Sequence, residues 1–193
     1  KGLWTEGRPA IPSDKLYPYS ADFAGETVES KLARMREILN QKSQISNQKW
    51  ALITSALDEI AWLLNIRGND VEYNPVVISY LVLEQQKCTL FVLPEKVTRE
   101  VSAYLRANDI TVKGYEEVFA YLHNLTGTIL YDGAKVNEAL FEAISVMAKT
   151  INSQSPILVA KSHKNDIELA GIRRAMEKDA VALTRFFRWL ESD

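Results

Sequence analysis

The sequence has 193 residues, of which 47% are hydrophobic and 25% charged, with a formal net charge of -2. That balance suits a soluble globular domain long enough to bury a proper core, and it excludes the basic footprint of a nucleic-acid binder. No apolar run is long enough to span a membrane, and the single Cys88 excludes an internal disulfide and fits a reducing, cytoplasmic compartment.

In chain order, residues 1–22 read as a connector. Pro9, Pro12 and Pro18 break regular structure, while Trp4, Leu16, Tyr17 and Tyr19 are apolar enough to lay part of it along a domain surface. The chain opens on Lys1 without a Met, which leaves an export signal upstream open. Thr27 is placed to cap a helix reaching about Gln41, with Val28, Leu32, Met35 and Leu39 as its apolar stripe. Lys42 to Gln48 is polar and reads as a loop, and Trp50 to Thr54 as a strand.

The next stretch is the most informative. Leu57, Ile60, Ala61 and Leu64 make one apolar helix face. Thr54 or Ser55 is expected to cap that helix, Asp58 and Glu59 to complement its dipole, and Asn65 to end it. A dense polar loop follows, with Arg67, Gly68, Asn69, Asp70, Glu72, Tyr73 and Asn74. Pro75 stops any helix, and Val76 to Leu83 is almost continuously apolar, as expected of a strand covered on both faces.

Glu84 to Lys87 is a predicted turn into a strand from Cys88 to Leu93, the two strands making an antiparallel hairpin. Further along come a helix over Thr98 to Ala107 ending at Asn108, a strand over Ile110 to Val112 and a helix over Tyr115 to Leu125. A strand over Thr128 to Tyr131, a helix over Val136 to Lys149 and a last strand over Pro156 to Ala160 follow. A long helix starts at Lys164 or Asn165 and reaches Glu191. Leu169, Ile172, Met176, Ala180, Leu183, Phe187 and Leu190 form its stripe, which makes a homodimer one expected partner arrangement. The alternation predicts an α/β domain: a mixed β-sheet with helices on both faces, plus a long C-terminal helix.

Candidate chemistry is sparse. Asp58, Glu59, Asp70 and Asp132 are metal-ligand candidates by residue type, but a helix terminus and an Asp132-Gly133 turn explain most of them. His123 and His163 lack metal-binding spacing. Cys88 opens an apolar strand with no activating base nearby, which makes it a buried inert thiol. Trp62 flanks the helix stripe, with core packing as its default role. The polar loop has two readings. In one, Arg67 pairs with Asp70 and Asn74 caps a turn. In the other, Arg67, Asp70, Tyr73 and Asn74 line a substrate cleft shared with another domain.

The string Asp58-Glu59-Ile60-Ala61-Trp62-Leu63-Leu64-Asn65-Ile66-Arg67-Gly68-Asn69-Asp70, followed by Asn74-Pro75-Val76, resembles the second domain of three-domain Xaa-Pro aminopeptidases (aminopeptidase P). Lys164 to Met176, Asp179 to Leu183 and Phe186 to Glu191 resemble the opening helix of that family's catalytic domain. The resemblance implies a creatinase-type N-terminal domain with ribonuclease H-like topology. It divides the chain into a connector over 1–22, the second domain over 23–161 and the first catalytic helix over 162–193. It also implies a parent metallopeptidase cleaving before proline with two divalent ions, commonly manganese, whose ligands all lie outside this chain. No cofactor is therefore expected on this segment. Its expected partners are the parent's first and catalytic domains and, in the parent, a proline-containing peptide; neither nucleic acid nor membrane is expected. The alternative is a peptide- or histone-binding pseudo-peptidase module of the same architecture. Creatinase or prolidase itself is disfavoured by the loop pattern and the connector.

Overall fold

The structure is a computed structural model that describes residues 6–42, 48–144 and 146–192. Trp4 and the middle of the loop expected over 42–48 lie outside those residues.

Two short strands, β1 (Tyr17–Pro18) and β3 (Ile66–Arg67), pair antiparallel, so the end of the stretch 1–22 lies along the folded surface as expected. Leu16, just before them, is 1% exposed. The main sheet holds β2 (Trp50–Thr54), β4 (Ser79–Glu84), β5 (Cys88–Val92), β6 (Ile110–Gly114), β7 (Thr128–Tyr131) and β8 (Lys149–Asn152). Its order is β6-β5-β4-β2-β7-β8, and β4 alone runs against the other five. This is the expected mixed sheet, and β5-β4-β2-β7-β8 has the ribonuclease H-like order.

The apolar run of β4 serves both faces because successive side chains alternate. Leu81 and Leu83 join Leu52, Leu90, Val92 and Leu130 on one side. Tyr80 and Val82 join Ala51, Ile53, Phe91 and Ile129 on the other. The first face is covered by α2 (Val28–Gln41), α3 (Leu57–Leu63), α4 (Arg99–Ala107) and α7 (Pro156–Ser162). The second is covered by α5 (Glu117–His123) and α6 (Glu138–Glu142). Val28, Leu32, Met35 and Leu39 are all buried, and the Thr27 hydroxyl accepts the Ser30 N–H at 3.2 Å, as the cap pattern predicts. Trp62 is in the core, which is its default role.

Four local expectations are corrected. The helix predicted over 136–149 is the short α6, capped by Asn137, and the chain then enters β8 beside β7. Val146 and Met147, between α6 and β8, are 95% and 83% exposed. The strand predicted over 156–160 is the helix α7. There Ser155 caps and Pro156 occupies the first turn, a start signal that outweighs a short apolar run equally compatible with a buried helix. The ladder of β4 begins at Ser79, because Val76 and Ile78 give backbone groups to Asp70 instead. Neither Thr54 nor Ser55 caps α3. Ala56 holds that position, the Thr54 hydroxyl accepts the Ala56 N–H, and Ser55 donates to the Lys135 carbonyl.

The last helix, α8 (Asp166–Leu190), starts with a capping box in which Asn165 and Glu168 satisfy each other's backbone N–H groups. Asn165 also donates to the Ala24 carbonyl of α1 (Ala21–Ala24) at 2.8 Å, and Trp62 Nε1 donates to Glu168 at 3.1 Å. These contacts tie the first turn to the domain. Beyond it, Met176, Leu183, Phe187 and Leu190 remain exposed.

Candidate functional site

The polar loop is built outward from β3. Gly68 packs so closely on Val77 that an added Cβ would lie 2.6 Å from its Cγ2, so a side chain there would force the loop off the core. The chain doubles back at this point and sends its charged residues in different directions. The Arg67 guanidinium lies 4.3 Å over the Tyr19 ring, and Nη1 donates to the Ala61 carbonyl at 2.6 Å and the Ile66 carbonyl at 2.8 Å. It does not pair with Asp70, contrary to one of the two sequence readings. Asp70 turns inward to Lys96, where the two side chains are 1% and 0% exposed. Asp70 also accepts the Ile78 N–H at 2.6 Å.

At the loop tip, Asn74 closes the turn through its backbone, bridging to Val71. Tyr73 has a φ of 61° and is 97% exposed. Positive φ is uncommon for a bulky side chain. The four candidate residues therefore occupy three environments: Arg67 at a groove, Asp70 in the interior, and Tyr73 with Asn74 at the exposed tip.

The groove runs between the first turns of α8 and the edge formed by Tyr19, Trp62 and Arg67, and encloses a cavity of about 500 Å³. Lys31 from α2 forms part of its floor. Its Nζ donates to the Trp62 carbonyl at 2.8 Å and to Asn65 Oδ1 at 2.7 Å, and lies 4.3 Å over the Trp62 ring. Asn65, at a φ of 46°, also donates to the Glu26 carbonyl. Burial pushes the Lys31 ammonium down to about 8 and pushes Arg67 below its ordinary range. Among the described residues neither cation has a carboxylate within ion-pair distance. Lys164, Arg174 and Lys178 add further positive charge at the rim, with Glu168 as the one lining carboxylate among the described residues. Such a surface can hold an anion.

The other carboxylates are dispersed. Asp58 pairs with Lys161 at 2.5 Å. Glu59 is fully buried, accepts from Ser155 and Thr54, and is pushed up by burial. Asp132 accepts the Ala134 and Ser155 N–H groups. Among the described residues no three His, Cys, Asp or Glu side chains converge. These residues therefore do not fit a two-metal centre. Cys88 is fully buried and pushed up to about 12 by burial, in keeping with an inert thiol.

The sequence reading passes over two buried cations. Lys31 was findable, since it falls at the offset between Val28 and Leu32 that belongs to the buried face of α2. Lys96 carries no such signal, because it sits in a short turn over Pro94–Lys96 between β5 and α4.

Residues 7–168 match the family described as Creatinase/Prolidase N-terminal domain. The proteins named Probable Xaa-Pro aminopeptidase P from Talaromyces marneffei and Botryotinia fuckeliana are 36% and 37% identical, over 99% and 98% of this chain. The chain spans 30% of the length of each. The X-prolyl aminopeptidase of Caenorhabditis elegans, described as a cytosolic enzyme with a di-nuclear active site, superposes with a TM-score of 0.88 at 28% identity. That match covers 98% of this chain and 31% of the nematode enzyme. The prolidase of Pyrococcus horikoshii shares the fold at 13% identity and a TM-score of 0.52, over 80% of this chain and 41% of the prolidase.

Proposed function

This chain belongs to the creatinase/prolidase N-terminal domain family, and from that premise we propose that it is the non-catalytic middle domain of an Xaa-Pro aminopeptidase. The observation that carries the reading is coverage: relatives named for that activity match the chain almost end to end, yet it makes up 30% of their length. The parent is a cytoplasmic metallopeptidase that releases an N-terminal residue preceding proline. Its two divalent ions, manganese in this reading, are held by the remainder of the parent.

Within the parent, residues 1–22 connect to the first domain, residues 23–161 form the middle domain, and residues 162–193 enter the catalytic domain. The exposed stripe of α8 packs against that catalytic domain. The loop shapes access to the active site. Arg67, Tyr73 and Asn74 meet the peptide at the cleft, and Asp70 sets the loop's position through Lys96.

The test compares the intact parent with this chain alone on an Xaa-Pro-Xaa peptide, following release of the first residue by mass spectrometry with and without manganese. The parent is expected to cleave and the chain alone to be inert. Metal-dependent cleavage by the chain alone would overturn the non-catalytic assignment. A parent that binds the peptide without cutting it would favour a binding module instead.

A further inference from the structure

We propose that the groove between α8 and the Tyr19–Arg67 edge binds the C-terminal carboxylate of a short peptide. Arg67 takes the carboxylate, and the space beside Gly171 takes the last side chain.

Three observations converge on this. First, the charge is unbalanced: among the described residues Lys31, Arg67, Lys164, Arg174 and Lys178 line the groove against Glu168 alone, and Glu168 already accepts from Trp62 and from the Asn165 N–H. Arg67 is half-buried without a counter-ion among the described residues, and the two carbonyls that meet Nη1 replace only part of the hydration it has given up, so an incoming anion gains most there. Second, Arg67 is oriented for the task. Its Nη1 is committed to two carbonyls and its face to Tyr19, while Nε and Nη2 donate to none of the described residues. Those two donors form the planar fork that meets a carboxylate with two parallel hydrogen bonds.

Third, α8 carries a glycine where its own chain needs none. Gly171 lies inside the helix and lines the groove, and a Cβ built on it would meet nothing within 4 Å. Glycine in a helix interior costs about 1 kcal/mol relative to alanine, so the open space has no rationale in this chain's own packing. Phe23, Ile167 and Ile172 make the adjoining wall apolar. The volume of about 500 Å³ leaves room for a terminal residue and its carboxylate. Fixed positive charge beside an apolar wall matches a peptide's last residue, which carries both features.

The choice of a peptide rests on the peptidase reading, whereas the preference for a carboxylate rests on the groove itself. The experiment titrates this chain by calorimetry and by amide NMR shifts with acetyl-Ala-Leu and with its C-terminal amide. The free acid is expected to bind at least about 10-fold more tightly than the amide, the discrimination expected of a charge-assisted bidentate contact. Arg67→Gln is expected to erase that difference. Gly171→Leu is expected to block both ligands while leaving the melting temperature unchanged or raised, since leucine is the better helix former. Equal binding of acid and amide, undiminished binding by Gly171→Leu, or no binding near about 10 mM would each overturn the proposal. Neither ligand contains proline and no cleavage is measured. Failure here therefore leaves the parent's cleavage assay standing, and a failed cleavage assay leaves this result standing.

Discussion

Asp70 and Lys96 form an ion pair removed from water at both ends, across 26 residues of sequence and two elements of structure. It joins the loop after β3 to the turn before α4, and the same Asp70 oxygen accepts the Ile78 N–H. Removing one partner strands the other as a buried charge. Asp70→Asn or Lys96→Met alone is expected to cost about 3–5 kcal/mol in urea unfolding, and the pair Asp70→Asn with Lys96→Met clearly less than the sum. A cost below about 1 kcal/mol for either single change would show that the pair is not a stabilising link.

The first turn of α8 depends on a fit between Gly25 and Asn165. Gly25 has a φ of 69°, and a Cβ there would fall 2.3 Å from Asn165 Oδ1. Gly25→Ala therefore meets left-handed strain and a collision with the cap at once, with an expected loss above about 1 kcal/mol. Asn165→Ala, which removes the capping box and the bond to Ala24, is expected to cost about 0.5–2 kcal/mol. Hydrogen exchange should speed up in the first turn of α8 in both variants. Unchanged protection would mean that the helix is held elsewhere.

Lys31 predicts a pH dependence with a definite sign. Its ammonium is lowered from 10.5 to about 8 on folding, chiefly by burial. The unfolded chain therefore binds more protons between those values, and stability rises with pH across the window and is lost as pH falls through about 8. Cys88 works in the opposite sense at higher pH. Its contribution is fully present below 9.0 and is lost as pH rises towards about 12. Because Lys31→Met retains Cys88, the difference between the two proteins isolates the lysine. That difference should move in favour of the wild type as urea midpoints are taken upward from about pH 8. A difference that stays flat would mean that Lys31 keeps an ordinary pKa.

The thiol gives an independent measure of opening. Cys88 lies on a central strand with no exposure, so alkylation at mildly alkaline pH should be slow in the native chain and fast in urea. The native rate should scale with the unfolding equilibrium across destabilised variants. Rapid native alkylation would place the thiol nearer the surface than described.

The chain exposes Met176, Leu183, Phe186, Phe187, Trp189 and Leu190 along α8. Each large side chain left in water forgoes roughly 1.5–3 kcal/mol of burial. Self-association through this stripe is the expected outcome, since a two-fold pair covers both copies at once. Light scattering should give a dimer for the whole chain and a monomer for a version ending at Lys164. A monomeric whole chain at high micromolar concentration would rule out the pairing.

Elements whose causes are local were legible in the residues themselves. The Val28-Leu32-Met35-Leu39 stripe, the cap at Thr27 and the two-faced burial of β4 follow from side-chain period and from hydrogen bonds within a few positions. The polar loop could be located because it is dense in charge between a helix and a buried run, but its internal pairing could not. Whether Arg67 met Asp70, a carbonyl or an aromatic face depended on which groups the sheet order brought alongside. Lys96 comes from the turn after β5, and Tyr19 from the segment after β1. Short apolar runs such as Pro156 to Ala160 also awaited tertiary packing, because burial rather than sequence period selects helix or strand there. The groove belongs wholly to the tertiary level. Lys31, Arg67 and Gly171 lie far apart along the chain and share a surface only because α8 docks its first turn on Ala24 and Trp62. Hydrogen bonds and charges act over a few ångströms of space, whatever the separation in sequence.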